Sequence, residues 1–490
     1  MSIPYNFIGY APDVDPTTPG VIVDCTNLIP SRRGMKAAPS AASSEYAALA
    51  AACRGAASLR KLDATVRVFA GTATALFEAA SGTYTDRTRV SGGAYTLGAE
   101  DRWRFAQFGN VSLASCKTDT LQSSTTGAFA NISGAPKAAI VETAANFVIL
   151  FDYDDGTDTP DGWFCSGLND ETVWTPAIAT QCANGRLRQT PGKVRAGKAF
   201  GSNLVAYKDR SMYLGTYVGP PDIWAWARVP GEIGAPSQEA VVNVGTPENP
   251  RHIFIGFDDF YSFDGSLPVP IGESWVKEAV FSTVQRNRLN SCISLHDANL
   301  NIVRFWYPGV DSVNPDKCVV YNYRTNRWGR DDRQVEMAFE YITPSTTYAD
   351  VGTLFSTYAD VDFENITYGG SFWITGQPAP GIFDTAHLLK TLDGAAAPCT
   401  LTTGDIGDDE AEILLRQVKP RYLSAPTNAA MTNYYRQNIG DALTPDATVA
   451  QMSSRFDVLR EARWHRLNFT FSGPLELPGI VLDAEKQGAE

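Results

Sequence analysis

Residues Phe200 to Tyr217 read FGSNLVAYKDRSMYLGTY. Two apolar-aromatic runs flank a polar tip, Lys208-Asp209-Arg210. This is the pattern of a β-hairpin, because successive side chains of a strand point to opposite faces and a short polar turn reverses the chain. The unit recurs on both sides. Thr65–Gly71 turns near Thr74, Phe105–Ser115 at Gly109-Asn110, and Ala144–Gly156 at Asn146. His252–Gly265 turns at Asp258-Asp259, Cys292–Tyr307 at Asp297–Asn299, Cys318–Arg330 at Thr325-Asn326, and Ile366–Gly376 at Gly369-Gly370.

The turns at Thr74, Asn110 and Asn146 lie 36 residues apart, and those at Asp209, Asp258 and Asp297 lie 49 and 39 apart. A loose period of about 35 to 50 residues, four strands at a time, is a propeller signature. A β-sandwich has short strands but no such long period. The expected fold is all-β: a β-propeller-containing subunit with a Pro-rich N-terminal arm and additional C-terminal β strands. The expected divisions are an N-terminal arm or platform over 1–60, a propeller with insertions over 61–395, and a C-terminal β-module or ring-closing strands over 396–490. Thr400–Leu423 reads as a long hairpin with an acidic tip, and Arg463–Glu485 as two closing strands.

Composition narrows the function. The chain has 490 residues, 44% hydrophobic and 19% charged, which is ample for a buried core. A net charge of −13 argues against a protein that wraps nucleic acid with a basic face; it does not exclude one that lets DNA slide past, and it is equally the charge of a plainly soluble protein. The eight cysteines show no C-x-x-C pair and only four histidines are present, so zinc spacing is absent and buried, reduced thiols are expected. MSIPYNFIGY has neither the basic nor the apolar region of a signal peptide, and no apolar run is long enough to cross a bilayer, so no membrane insertion is expected.

The chemical motifs fail on their details. GKVRAGKA (Gly192–Ala199) approaches a phosphate-binding loop but ends in Ala199 where a hydroxyl must hold Mg²⁺, so it reads as a basic surface loop. FDYDDGTDTPDG (Phe151–Gly162) has the carboxylates of a calcium loop, yet Gly156 and Trp163 break the EF-hand pattern. No G-x-S-x-G or H-E-x-x-H occurs, and His252, His296, His387 and His465 fall in different units. No catalytic residue, metal ligand or cofactor site is assigned. Trp224 and Trp226 alternate onto one strand face, as core residues or as an intersubunit contact. Asp405, Asp408, Asp409 and Glu410 form a candidate acidic surface or channel patch, and Arg32 and Arg33 a candidate interface.

Three stretches carry a resemblance: DVDPTTPGVIVDCTNLIPSRRGMKAAPS, DRWRFAQFGNVSLAS, and RSMYLGTYVGPPDIWAWARVPGEIGAPSQEAVVNVGTPENPRHIFIGFDDFYSFDGS. With the ending RWHRLNFTFSGPLELPGIVLDAE, they resemble the tail nozzle proteins of short-tailed bacteriophages, also called tail hub, tail tubular B or packaged-DNA stabilisation proteins. The resemblance covers most of the chain and rests on extended patterns rather than a catalytic motif. It implies a non-enzymatic virion protein, assembled in the bacterial cytoplasm into a six-fold homo-oligomeric ring. Its implied partners are adaptor or head–tail connector proteins and tail fibre or tip proteins, with double-stranded DNA as passing cargo. On this view the Pro-rich N-terminus lies across a neighbour, or packs as a strand on its own propeller. The alternatives are a propeller glycosidase or sialidase-like hydrolase, and a receptor-binding module at the tail tip. The first is disfavoured by the absence of S-x-D-x-G-x-x-W boxes, since NDETVW (Asn169–Trp174) lacks the glycine.

Overall fold

In the computed structural model, which describes residues 2–80, 82–343 and 378–489, the hairpins assemble into seven antiparallel sheets arranged in a ring. Their first strands are Gly55–Arg60, Arg104–Phe108, Lys137–Ala144, Ala196–Phe200, Val241–Asn243, Ile293–Asp297 and Met337–Tyr341. Each packs against the first strand of the next sheet, and Met337–Tyr341 packs against Gly55–Arg60, so the ring closes. This is a seven-bladed propeller, its blades numbered here 1 to 7 in chain order.

Closure uses both halves of the chain. Blade 7 takes its outer strand from Ala42–Ser43, which pairs with Leu389–Thr391. Blade 1 follows, after a loop that buries Tyr46, Leu49 and Cys53. The Ile366–Gly376 hairpin lies outside the described residues.

The blades are held by apolar clusters at their mutual faces, where each sheet's alternate residues meet the next sheet. Phe69, Trp103 and Phe129 fill the boundary of blades 1 and 2. Phe147, Phe151, Trp163 and Trp224 fill that of blades 3 and 4, and Phe200, Tyr207, Phe254 and Phe263 that of blades 4 and 5. Close packing also fixes the small residues. A Cβ on Gly71 would lie 2.2 Å from the Trp103 ring.

The Pro-rich N-terminus is strand rather than irregular arm. Ser2–Asn6 pairs with Gly479–Ala489, and Val21–Thr26 pairs with Cys399–Thr403. Two sheets result. One runs Ser2–Asn6, Gly479–Ala489, Ala411–Arg421, Phe456–Ala462; the other includes Val21–Thr26, Cys399–Thr403, Trp464–Ser472 and Asn428–Arg436. Pro12, Pro16 and Pro19 sit in turns and Pro30 ends a strand, while Pro4 lies within Ser2–Asn6, an edge strand, where a missing N–H is tolerated. Thr400–Leu423 is not a hairpin: Cys399–Thr403 and Ala411–Arg421 belong to different sheets.

This two-ended sandwich is fused to the propeller. Arg327–Arg330, the last strand of blade 6, pairs with Leu28–Pro30, whose sheet continues through Met35–Ala37 to Glu476–Leu477. One core joins Tyr5, Phe7, Leu401 and Phe469 of the sandwich to Phe260, Phe305 and Trp328 of blades 5 and 6.

Candidate functional site: the propeller channel

The first strands turn alternate side chains toward the ring axis, and they line a cavity of about 420 Å³. Six of the seven blades contribute an ionisable group. These are Arg104, Glu142, Lys198, Glu239 on the turn entering blade 5, His296 and Glu340; blade 1 contributes Ala56 and Ala57.

The charges differ in state. Arg104 grips Glu239 with two parallel bonds, Nε to Oε1 at 2.9 Å and Nη2 to Oε2 at 3.1 Å, and donates its third to the Ala139 carbonyl at 2.8 Å. Burial would raise the Glu239 pKa, but Arg104 and Arg102 outweigh it and hold the carboxyl below its ordinary value. Glu142 goes the other way: burial raises it, against the charge of Lys198 and backbone N–H groups. Burial also raises Glu340 and lowers His296, whose Nε2 lies 3.0 Å from the Tyr323 hydroxyl.

The frame around these groups is tied. The Gln238 amide clamps Gly197 by accepting from its N–H and donating to its carbonyl, both at 2.7 Å. At the mouth, Lys117 donates to Asp152 and Asp158 at 2.6 Å each, and Lys193 approaches Asp152 at 3.8 Å. Lysines thus pair with two of the five aspartates of the calcium-like loop, Asp152 and Asp158, and Arg186 pairs with a third, Asp161. Among the described residues no cluster of His, Cys, Asp and Glu is arranged to hold a metal ion.

Sequence-derived candidates fall elsewhere. Trp224 is 4% exposed, and Trp226 is half-buried against Phe151 and Trp163, so both indoles are taken up between blades 3 and 4. That burial removes Trp224 as an intersubunit contact. Arg32 and Arg33 are exposed at the turn between Leu28–Pro30 and Met35–Ala37.

The acidic patch divides. Asp405 is buried and held by Arg436 and Arg466, each at 2.7 Å, so it belongs to no surface patch. Asp408 pairs with Lys486, while Asp409 and Glu410 are exposed. All four lie in the sandwich, away from the propeller channel.

GKVRAGKA is a loop only over Gly192–Arg195, where Lys193 is exposed; Ala196–Phe200 is the inner strand of blade 4, which brings Lys198 to the channel. The channel residues were missed because each is a lone charge in an otherwise ordinary strand. Their shared signal is position, each lying in or just before the first strand of a repeat.

The arrangement defines a seven-bladed propeller with a tied, charge-balanced channel and a sandwich built from both chain ends. No family model matches the chain, and no curated protein matches it. Many solved structures are similar, among them three at low identity. A structure titled "YCF48 bound to D1 peptide" has 13% identity over 60% of this chain and 87% of that one, with a TM-score of 0.34. A puromycin hydrolase has 10% identity over 67% of this chain and 56% of that one, with a TM-score of 0.37. An exo-β-1,3-galactanase from Phanerochaete chrysosporium has 10% identity over 91% and 100%, with a TM-score of 0.27. Two of the three are hydrolases by title.

Proposed function

We propose that the chain is a structural subunit of a short-tailed phage particle, assembling as a tail nozzle ring that retains packaged DNA and passes it during ejection. One observation carries the reading. Two of the stretches that carry the resemblance, Asp13–Ser40 and Arg463–Glu485, are hydrogen-bonded neighbours, Lys36 lying opposite Glu476 and Met35 opposite Leu477, beside the sheet that pairs Ser2–Asn6 with Gly479–Asp483. A rigid block that binds both its ends into one sheet is suited to bear load between rings. Exposed Leu423, Met452 and Leu459, 48%, 70% and 73% accessible, give the sandwich apolar points for contact with a neighbouring copy. In this reading Asp409 and Glu410 belong to a face that repels phosphate.

The test is quantitative peptide mass spectrometry of DNA-filled particles, scaled to the portal protein. About half as many copies as portal subunits fits a six-fold ring beneath a twelve-fold one. Absence from the particle sinks the reading.

A second reading has its own observation. Glu142, raised by burial, shares the channel with Glu239, held below its ordinary pKa by Arg104 and Arg102. Two carboxyls whose surroundings push them in opposite directions are what the acid and base roles of a glycosidase call for. Glycan hydrolysis abolished by Glu142→Gln would establish it.

A further inference from the structure

A groove of about 590 Å³ opens between blades 5 and 6, within the size range of about 300–1,000 Å³ typical of ligand sites. It lies on the face that carries the turns after the first and third strands of each blade, and it does not include the channel residues. Trp275 and Tyr321 supply its aromatic surface; Asn249, Arg251, Asp264 and Asn326 supply its polar groups.

These groups are held in place but not used up. The Trp275 N–H donates to the Gly272 carbonyl at 3.0 Å, and its own carbonyl accepts from Asp13 at 3.2 Å. The Asp13 carboxylate in turn takes the N–H groups of Glu278 and Ala279 at 2.6 and 2.9 Å. The Tyr321 hydroxyl donates to Asn326 Oδ1 at 2.7 Å, and Arg251 Nε donates to Ser262 Oγ at 2.8 Å. Asp264 Oδ1 receives the N–H and hydroxyl of Ser266. Among the described residues this leaves Asn326 Nδ2, the two terminal amines of Arg251, Asp264 Oδ2 and the side-chain amide of Asn249 without protein hydrogen-bond partners. The groove thus offers oriented donors and acceptors beside an aromatic face, with one positive and one negative charge.

We propose that this groove binds a neutral saccharide segment, whose C–H face stacks on Trp275 and whose hydroxyls pair with Asn326, Arg251 and Asp264. The two terminal amines of Arg251 can take neighbouring hydroxyls, Asn326 Nδ2 adds a donor and Asp264 Oδ2 an acceptor, and a rigid indole contributes apolar area at small entropy cost. A peptide fits less well. The outer strand of blade 5 is Val269–Pro270, and Pro270 has no N–H to extend the ladder to a bound chain. An oligonucleotide meets a single cation balanced by Asp264 on a chain of net charge −13. The inference is independent of assembly into a nozzle.

The experiment uses the full chain, immobilised and probed with neutral di- to hexasaccharides of glucose, galactose, mannose, rhamnose and N-acetylhexosamine. A generic oligopeptide pool and a single-stranded oligonucleotide run beside them. Saccharide retention that weakens about tenfold or more in Asn326→Ala and Arg251→Met, and is kept in Trp275→Phe but lost in Trp275→Ala, supports the proposal. Melting curves matching the parent must accompany the two polar variants; Asp264→Asn serves where either fails to fold. No retention across the panel, retention unchanged by the groove variants, or groove-dependent binding of only the peptide or oligonucleotide overturns it.

Discussion

Replacing Asp405 by alanine removes the one carboxylate that, among the described residues, lies within ion-pair distance of Arg436 and Arg466. Its side chain is 0% exposed, and it accepts from Arg436 Nη2 at 2.7 Å and from Arg466 at 3.0 and 2.7 Å. Its backbone N–H donates to the Pro16 carbonyl at 2.7 Å, so the same residue ties the N-terminal segment to the sandwich. Breaking a buried pair by removing one partner typically costs about 3–5 kcal/mol, because the other charge is left desolvated and unpaired. Arg436 and Arg466 are 12% and 21% exposed and can recover some hydration, which places the expected loss near the lower figure, about 3 kcal/mol. Asp409→Ala is the control. Asp409 is exposed and accepts only from Trp464 Nε1, at 3.2 Å, so its loss costs roughly 1 kcal/mol or less. Urea unfolding followed by tryptophan fluorescence and far-UV circular dichroism measures both. Equal midpoints for the two variants would refute the burial argument, and with it the placement of Asp405 inside the sandwich.

Other expectations are independent of that one. His252 is fully buried, bonded to the Tyr207 hydroxyl and the Ala199 carbonyl, and burial pushes its pKa down to about 4. The unfolded chain protonates this residue near pH 6.5 and the folded chain does not, so stability is full above pH 7 and drains as pH falls toward 4, by about 3 kcal/mol. Unfolding free energies across that window should flatten in His252→Asn; an unchanged slope counts against the assignment. All eight cysteines are buried and unpaired, and burial pushes Cys53 and Cys292 up to about 12. A thiol reagent should therefore label none rapidly in the native protein and eight after denaturation. Gly71→Ala should cost about 1–3 kcal/mol through collision with Trp103, seen as a lowered melting temperature.

The local structure was legible in the sequence and the assembly was not. Period-two alternation around Lys208-Asp209-Arg210, Gly109-Asn110 and Asn146 located strands and turns, because strand geometry and positive φ at Asn146 depend on neighbours in sequence. The regular turn spacing was less informative than it looked. Asn110 and Asn146 join first to second strands, whereas Asp209 and Asp258 join second to third. Alternation states that a strand has a buried face, not which strand covers it. Ser2–Asn6 finds its partner at Gly479–Ala489, and Ala42–Ser43 closes a blade begun at Met337–Tyr341. Asp405 looked like one of several surface acids, since the two arginines that neutralise it lie 31 and 61 residues away along the chain. Six lone charges became one channel for the same reason. Hydrophobic burial sets the strands locally, but only ring closure brings residues as distant as Arg104 and Glu239 within hydrogen-bonding reach, and desolvation there decides their charge.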